Sequence, residues 1–510
     1  MRKRITIALN ARTAYFGNRL PDEMREKLDR WYSYPMRGYR WSKWYGMTRD
    51  DGTPVWDGRI RLLKNGQLPA GLFRATRKEI EKELHIKFEV YETPGVVKLC
   101  EADAKLAASD RKYQNECVSA MVNALTTGGG LIVAGTGAGK TRNAAMLFAR
   151  IKGSVCFIVD ELLLMEQARK ELQDHLGEKV GIVGNQNFDP QRVTVATIQT
   201  LHRYRTSHEF RDWAKKVKVL MIDEVHIALN KRNVDVVQAF KSEAVFGLTA
   251  TLELQKHEVR TKAYALCGPV IFSYPIATGV EQGYMSHGVV VQVRVPQSGV
   301  EKEYVKSVTE LIVKGSRRNH LIVRVVKMAL QAGKHVIVMV ERRTHLERLS
   351  GMLDKIPHRL IWGDAKVSDR LQHAKEFERE KIKLILATRV LKKGVNIKRI
   401  DLMVDAAGMR SANDCVQKYG RGVRLCEGKS GLIYVDIGDK GNRFERAARD
   451  RCRAFKRNQI DVFQVPYEEG DECALKVLRR AERRLKKNAQ ASKQDDRKSR
   501  AKSQMQLPLE

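Results

Sequence analysis

The chain is organised around residues 131–141, which read LIVAGTGAGKT. The apolar start of this stretch predicts a buried strand, the glycines predict a turn, and the apolar residues after Lys140 predict a helix to about Ile151. This order is typical of a phosphate-binding loop, because converging backbone N–H groups and a helix N-terminus favour an anion. An ordinary glycine-rich turn before a helix is the alternative interpretation.

Different residues of this loop are expected to contact different parts of a nucleoside triphosphate. In the consensus G-x-x-x-x-G-K-[ST], Ala134 stands at the position of the first glycine. Lys140 is expected to reach the β- and γ-phosphates, and the Thr141 hydroxyl is expected to bind Mg²⁺. The loop residues predicted to contact the nucleotide are Gly135, Thr136, Gly137, Ala138, Gly139, Lys140 and Thr141.

The composition indicates a polyanionic partner. The 510 residues include 94 Lys and Arg against 60 Asp and Glu, a formal net charge of +34. Such a surplus favours a polyanion over an acidic small molecule, with charge for solubility as the alternative. The eight cysteines form no C-x-x-C pair, so they are interpreted as reduced cytosolic thiols. No apolar run is long enough to span a bilayer, so no membrane partner is expected.

Alternating strands and helices are predicted from about Asp110, which indicates parallel sheets with helices on both faces. The strand candidates form two series, at residues 131–134, 155–159, 193–196, 217–222 and 245–249, and then at 336–340, 384–387, 402–405 and 432–436. Two series imply two α/β domains, at residues 108–277 and 290–468, with their connection near residues 278–296. Residues 1–95 are predicted to form a small α+β domain, and residues 473–510 a basic, largely disordered tail that begins as a helix.

A pair of acids follows one of these predicted strands. The apolar run 217–222 leads into Asp223 and Glu224, with His226 two residues later. Asp223 is expected to hold Mg²⁺, directly or through water, and Glu224 to polarise the attacking water. A solvated acidic turn is the alternative interpretation.

The phosphate loop and the acidic pair together resemble the superfamily 2 helicases, in which alanine is common at the position of Ala134. The resemblance implies two tandem RecA-like domains, ATP and Mg²⁺ as cofactors, and an ATPase of the DEAH/DExH type. It identifies Arg111 and Gln114 as the adenine contacts, and Thr249 and Thr251 as residues that couple the nucleotide site to DNA movement.

Residues 417–424 read QKYGRGVR and resemble motif VI of these helicases, Q-x-x-G-R-x-x-R. The resemblance implies catalytic roles for Gln417, Arg421 and Arg424. A nucleotide held between two domains leaves part of its γ-phosphate charge for the second domain to neutralise. Arginine fingers of this kind are worth about 10³–10⁵ in rate, so hydrolysis would depend on closure of the domains.

Two positions depart from the family pattern. Asp160 and Glu161 stand where motif Ia usually has Pro-Thr, and Asn396 stands where motif V, at residues 387–396, often has an acid. The ribose contact of motif V is therefore in doubt. By resemblance, sequence-independent contacts with nucleic acid are expected from Gln167, Thr197, Gln199 and Thr388.

Within this superfamily the chain is most similar to the phage UvsW-type recombination helicases. The similar segments are residues 38–40, 55–63, 68–72, 315–319 and 451–463. The resemblance implies ATP-driven remodelling of branched DNA by a monomer in the cytoplasm of a bacterial host, namely fork regression, Holliday-junction branch migration, and unwinding of D-loops or R-loops with their RNA–DNA hybrids.

The N-terminal domain concentrates aromatic residues among cations. Four of the six tryptophans lie between Trp31 and Trp56, interleaved with arginines and lysines. Flat rings beside cations suit nucleic acid, because bases stack and phosphates pair with Lys and Arg. Filling of a small core is the alternative. Trp56 and Arg59 are candidate DNA contacts, unless they belong to a structural turn in which Asp57 and Arg59 pair locally.

The chain ends in residues 504–509, QMQLPL, which resemble the Q-x-x-L-x-L peptide that docks bacterial replication proteins on a sliding clamp. Gln504, Leu507 and Leu509 would make the contacts, and a disordered tether would raise their effective concentration. A plain solubilising tail is the alternative.

The sequence thus predicts a DNA-dependent ATPase that moves along DNA and remodels its branches. The enzyme alternatives are an RNA helicase and the double-strand translocase of a restriction complex. The alternative of another class is a non-motor DNA-binding or annealing protein that uses ATP as a switch.

Overall fold

The computed structural model describes residues 3–17, 20–36, 38–101, 109–250, 256–296, 303–363, 365, 367–388, 397–408, 412–441 and 444–505, with residues 3, 367, 412, 413 and 491–505 in backbone only. The chain divides into two compact units, residues 1–134 with 139–273 and residues 135–138 with 274–510. Among the described helices, none combines the length and the apolar character that a bilayer crossing requires.

The N-terminal part of the first unit is a small α+β arrangement. Its elements are β1 (Lys3–Leu9), β2 (Thr13–Phe16), α1 (Asp22–Trp31), β3 (Ser33–Pro35), β4 (Arg59–Arg61), β5 (Gln67–Pro69), α2 (Ala70–Glu83) and β6 (Ile86–Glu92). The four-stranded sheet has the order β5-β2-β1-β6, and β3 pairs with β4 separately. Alternate residues of β1 are buried, because only one face of this sheet is covered. Helix α2 contributes Phe73, whose ring meets that of Phe16 edge-on with centroids 5.9 Å apart.

The rest of the first unit is built on an eight-stranded sheet. Its elements are α3 (Lys112–Ala124), β7 (Gly129–Ala134), α4 (Lys140–Phe148), β8 (Ser154–Val159), α5 (Leu162–Leu176), β9 (Gly181–Gly184), β10 (Asn187–Asp189), β11 (Val193–Thr197), α6 (Ile198–Tyr204), α7 (His208–Lys216), β12 (Val217–Ile222), α8 (Lys231–Ala239), β13 (Ala244–Thr249), α9 (His257–Leu266) and β14 (Val270–Tyr274). The order is β10-β9-β11-β8-β12-β13-β7-β14, and the five central strands are parallel. These five are the strands that the first series of apolar runs predicted.

The second unit contains a seven-stranded sheet. Its elements are α10 (Ile276–Glu281), β15 (Gly288–Pro296), α11 (Tyr304–Ser307), α12 (Ser316–Gln331), β16 (Val336–Met339), α13 (Arg343–Met352), β17 (Arg359–Ile361), α14 (Val367–Glu378), β18 (Leu384–Ala387), β19 (Leu402–Asp405), α15 (Ala412–Gly422), β20 (Leu432–Lys440), α16 (Glu445–Arg457), β21 (Val462–Pro466) and α17 (Asp471–Met505). The order is β17-β18-β16-β19-β20-β15-β21, and every pair is parallel. Two parallel-sheet RecA-like domains after a small α+β domain confirm the predicted fold class.

Two sequence expectations need correction. The region expected to connect the domains contains β15, a central strand whose Val289, Val291 and Val293 are fully buried between β20 and β21. The segment from Cys473 onward does not begin as a separate tail, because helix α17 packs against α12 and buries Cys473 and Val477 in the core of the second unit. Both stretches contribute apolar side chains to the core of the second unit.

Candidate nucleotide site

The predicted phosphate loop joins β7 to α4 within one turn. Gly137 has a φ of +95° and Gly139 has a φ of +72°, backbone angles that residues with a side chain rarely adopt. A Cβ at Gly139 would also lie 2.3 Å from the Gln114 amide nitrogen, so the Gln114 side chain would have to shift to admit one. Helix α4 begins at Lys140, which places the positive end of the helix dipole beside the loop.

Lys140 lies against the acidic pair. Its Nζ is 3.3 Å from Glu224 Oε1 and 4.0 Å from Asp223 Oδ1. The sheet order explains this contact, because β7 and β12 flank β13 in parallel and their carboxyl ends meet at one edge. The two strand ends that sequence reasoning selected are therefore brought together.

Glu224 is held in an unusual backbone conformation. Its φ is +49°, which is rare for a residue with a side chain and is concentrated at functional sites. The Glu224 N–H donates to Asp223 Oδ1 at 3.1 Å, and the Asp223 N–H donates to the Ile158 carbonyl at 2.8 Å. His226 Nδ1 lies 3.4 Å from Glu224 Oε2. The turn thus directs both carboxylates towards the phosphate loop.

Opposing effects set the pKa of Glu224. Burial raises it, but the charge of Lys140 and the contact with His226 outweigh burial and lower the pKa to about 2. The carboxylate is therefore ionised at neutral pH. The Asp223 carboxylate and the Thr141 hydroxyl supply the oxygen ligands that Mg²⁺ prefers, so these residues fit the predicted metal, and their contact with it stays a prediction.

The predicted adenine contacts lie at the start of α3. Gln114 is buried, and its Oε1 accepts a hydrogen bond from the Ser109 hydroxyl. Arg111 Nη1 donates to the Tyr113 hydroxyl at 3.3 Å. Gln114 borders the phosphate loop at Gly139, while contact of either residue with adenine stays a prediction.

The first unit also contains the residues predicted to couple the nucleotide site to DNA movement and those predicted to contact nucleic acid. They lie at the ends of strands or on helices. Thr249 is buried at the end of β13, and Thr251 is outside the described residues. The Thr197 hydroxyl donates to that of Thr200 at 2.8 Å. The Gln199 amide donates to Asp160 Oδ1 at 3.0 Å. Asp160, which replaces a usual motif Ia residue, therefore holds a side chain that is predicted to contact nucleic acid. Gln167 lies on α5.

The second unit carries the motif VI residues on and just after α15, with Gln417 and Arg421 on the helix and Arg424 beyond it. Sequence reasoning did not select the contact that holds this helix. Lys418 Nζ lies 2.7 Å from Asp405 Oδ2 at the end of β19, and the side chains are 7% and 4% exposed. Thr388, after β18, is also buried, while residues 389–396 of motif V are outside the described residues.

Trp56 and Arg59, the candidate DNA contacts of the N-terminal domain, form local hydrogen bonds. The Trp56 indole donates to the Arg59 carbonyl at 2.9 Å. The Arg59 guanidinium donates to the Ser33 hydroxyl at 2.8 Å. Asp57 accepts the Arg59 backbone N–H at 3.1 Å and forms its ion pair with Arg61. These contacts favour the structural-turn interpretation, in which Asp57 and Arg59 pair locally through the Arg59 backbone. Residues 506–509 of the predicted clamp peptide are outside the described residues, and the Gln504 side chain is too.

A polar cleft of about 490 Å³ lies where the N-terminal domain meets the eight-stranded sheet domain within the first unit. Arg12, Lys64 and Lys241 line it, and the described lining residues include no carboxylate. We call Lys64 and Lys241 the cleft lysines. Unopposed cations in a concave surface attract a polyanion.

Two family models match this chain. The model for the type III restriction enzyme res subunit matches residues 108–254, and the helicase conserved C-terminal domain model matches residues 318–426. Each of the two RecA-like domains therefore carries a match. The chain is a superfamily 2 helicase. Its phosphate loop and acidic pair fall in the first match, and its motif VI residues, 417–424, fall in the second.

Individual relatives of this helicase are distant. The DNA 3′-5′ helicase XPB of Mycobacterium tuberculosis is 24% identical over 325 residues, which are 61% of this chain and 57% of that protein. The helicase thus spans little more than half the length of this relative.

A solved structure shares the fold. Dbp5 of S. cerevisiae, bound to RNA and ADP BeF3, is 12% identical with a TM-score of 0.51, over 74% of this chain and 99% of that one. At this identity the likeness to Dbp5 shows the fold alone. T4 UvsW is 17% identical with a TM-score of 0.42, over 92% of this chain and 99% of that one.

Proposed function

We propose that this helicase hydrolyses ATP to move along DNA and to remodel branched DNA. The observation that carries the proposal is the contact of Lys140 with both members of the acidic pair, at the edge of the sheet where the glycine loop begins a helix. This contact joins the phosphate-binding and water-activating parts of the site in one place.

In this reaction Lys140 would leave the acidic pair and bind the β- and γ-phosphates, beside the loop N–H groups. Thr141 and Asp223 would hold Mg²⁺, which neutralises phosphate charge when bound. Glu224, freed from Lys140, would orient the attacking water and accept its proton, since release of the ammonium raises its low pKa towards that of a useful base. The sequence D-E-V-H supports the DExH subtype.

Motif VI would complete the site from the second domain. We expect Arg421 and Arg424 to neutralise charge that develops on the γ-phosphate, with Gln417 beside them. The buried pair of Lys418 and Asp405 supports this role, because it fixes the helix that carries the arginines to the end of β19. Movement of the second domain would then couple hydrolysis to translocation.

DNA is the proposed polymer along which the helicase moves. The formal charge of +34 and the cleft lined by three cations suit a polyanion. The name of the Mycobacterium relative, a DNA 3′-5′ helicase, supports DNA over RNA. Branched DNA is supported by the N-terminal segments that resemble UvsW-type helicases.

A substrate panel tests the proposal. Purified full-length protein and its Lys140→Ala variant would be given fork, four-way junction, R-loop and duplex-RNA substrates with ATP and Mg²⁺. We expect ATP-dependent strand exchange or release on the branched DNA substrates, lost in the variant while DNA binding persists. Preference for duplex RNA would favour an RNA helicase, and remodelling by Lys140→Ala would favour an annealing protein.

A restriction-type translocase is the second candidate, because the family model over residues 108–254 is that of a type III restriction enzyme subunit. Such a motor moves along intact duplex. Displacement of a triplex-forming strand from linear DNA, without activity on forks or junctions, would favour this candidate.

A further inference from the structure

Residues 36–58, which we call the aromatic segment, leave the end of β3 and return to β4. The segment is closed at its base, where the Met36 N–H donates to the Gly58 carbonyl at 2.8 Å. Asp57 pairs with Arg61 of β4 at 2.8 Å. The segment is therefore attached to the N-terminal domain through a paired ribbon.

The four N-terminal tryptophans fall into two groups. The Trp31 indole donates to Glu83 at 2.8 Å, and the Trp56 indole donates to the Arg59 carbonyl, so both take part in packing. Trp41 is 93% exposed and Trp44 is 50% exposed, and both lie in the aromatic segment. Core filling thus explains one group and leaves the other without a structural reason.

The exposed tryptophans are accompanied by other exposed apolar side chains. Met36, Tyr45 and Met47 of the same segment are also exposed, at 39%, 41% and 48%. Single exposed apolar residues are common, but several large ones within one short segment mark an interaction surface.

The part of the aromatic segment that carries the exposed tryptophans is basic. Residues 36–49 contain three arginines and one lysine and no acid, whereas the acids of the segment, Asp50, Asp51 and Asp57, all lie in its second half. The Lys43 ammonium lies 4.8 Å from the centre of the Trp44 ring, within the range of a cation–π contact. An apolar protein partner does not require these cations, whereas a nucleic-acid strand offers both flat bases and phosphates.

We propose that Trp41 and Trp44 stack on unpaired bases at the branch point of DNA, while Arg40 and Lys43 contact the adjoining phosphates. A base within a duplex is covered on both faces by its neighbours, so a tryptophan that stacks without separating them favours an unpaired base. This inference rests on the proposed function, because it specifies which DNA feature the helicase recognises.

The test compares DNA with and without unpaired bases. Full-length wild-type protein and the Trp41→Ala, Trp44→Ala and double variants would be titrated, at one salt concentration, with a fork that has unpaired arms and with a blunt duplex of equal length. A 2-aminopurine placed in the first unpaired position of the fork reports stacking through its fluorescence. Tyr91→Ala is the matched control, because Tyr91 is 68% exposed in the same domain but lies on β6.

Each single tryptophan variant is expected to bind the fork about 5- to 150-fold more weakly, the range for loss of one base-stacking contact. Binding to the blunt duplex and ATP hydrolysis without DNA should match wild type, and Tyr91→Ala should behave as wild type throughout. Wild-type fork affinity in both variants, equal losses on both DNAs, or unchanged 2-aminopurine fluorescence would overturn the stacking role and leave the ATP-driven function standing. A wild-type protein that binds no DNA would overturn both, and docking of a protein on this segment would then be the explanation to pursue.

Discussion

The buried pair beneath motif VI offers the sharpest structural prediction, the substitution Lys418→Met. Methionine keeps most of the volume of the side chain but leaves the Asp405 carboxylate without its ammonium, 2.7 Å away in the wild type. Removal of one partner from a buried ion pair typically costs about 3–5 kcal/mol. Asp405 keeps hydrogen bonds from the Tyr434 hydroxyl at 2.7 Å and the Ala407 N–H at 3.2 Å. We therefore expect a loss near the lower limit, about 3 kcal/mol in the free energy of unfolding.

Urea unfolding followed by far-UV circular dichroism, fitted with one transition for each unit, measures this loss. The variant Lys418→Met/Asp405→Asn is the control, because the amide removes the uncompensated charge and should recover most of the lost stability. A loss below about 1 kcal/mol in the single variant, or no recovery in the double variant, would refute the assignment of Lys418 as the group that neutralises Asp405. A lower kcat for ATP in the single variant, with an unchanged KM, would link this pair to the position of the motif VI arginines.

The same pair predicts a pH dependence. Burial raises the pKa of Asp405, but the charges of Lys418 and Arg451 outweigh it and hold the pKa well below its usual range. A depressed folded-state pKa stabilises the protein above the unfolded value of about 3.9, and this contribution is lost as the pH falls below that value. The stability of the second unit in the wild type should therefore fall more steeply on acidification than that of Lys418→Met/Asp405→Asn. Parallel curves would contradict this assignment.

Three further predictions concern the site and the cleft. Glu224→Gln should lower kcat for ATP by about 10²–10⁴-fold with ATP affinity near wild type, because an amide accepts no proton; a loss of nucleotide binding of the same size would argue against a general base. Gly139→Ala should weaken nucleotide binding, since its Cβ would lie 2.3 Å from the Gln114 amide and would displace that side chain beside the loop. Gly177→Ala has a similar φ of +67° in open space and should lose only stability. Equal nucleotide binding by these two variants would contradict the inference that a side chain at position 139 crowds Gln114. Charge reversal of both cleft lysines to glutamate should weaken DNA binding and reduce the slope of log affinity against log salt by about 1–2, and an unchanged slope would exclude the cleft from DNA contact.

The main architecture could be predicted because central parallel strands are buried on both faces and therefore appear as continuous apolar runs. The edge strands β9 and β10 are too short to give such a signal. Strand β15 has an apolar run, but it was interpreted as a connection because it precedes the second series. The start of α17 was obscured by its basic composition, although Cys473, Val477 and Ala481 recur every four residues, the spacing of a buried helical face.

The phosphate loop and the acidic pair could be predicted because each is a local pattern at the end of a strand. The sheet then brought Lys140 and Glu224 together through its strand order. The pair of Lys418 and Asp405 escaped prediction, because its importance comes from burial and from a partner in another element. The sequence also could not separate Trp41 from Trp56, since only the fold determines which ring is exposed.

The central claim is that ATP hydrolysis at the Lys140 and Glu224 site drives this helicase on DNA. Steady-state ATP hydrolysis by the full-length protein, measured with and without fork DNA and repeated with Lys140→Ala, tests it most directly. We expect hydrolysis that rises on addition of the fork and disappears in the variant. Fork-independent hydrolysis, no hydrolysis by the wild type, or turnover that survives the substitution would contradict the claim.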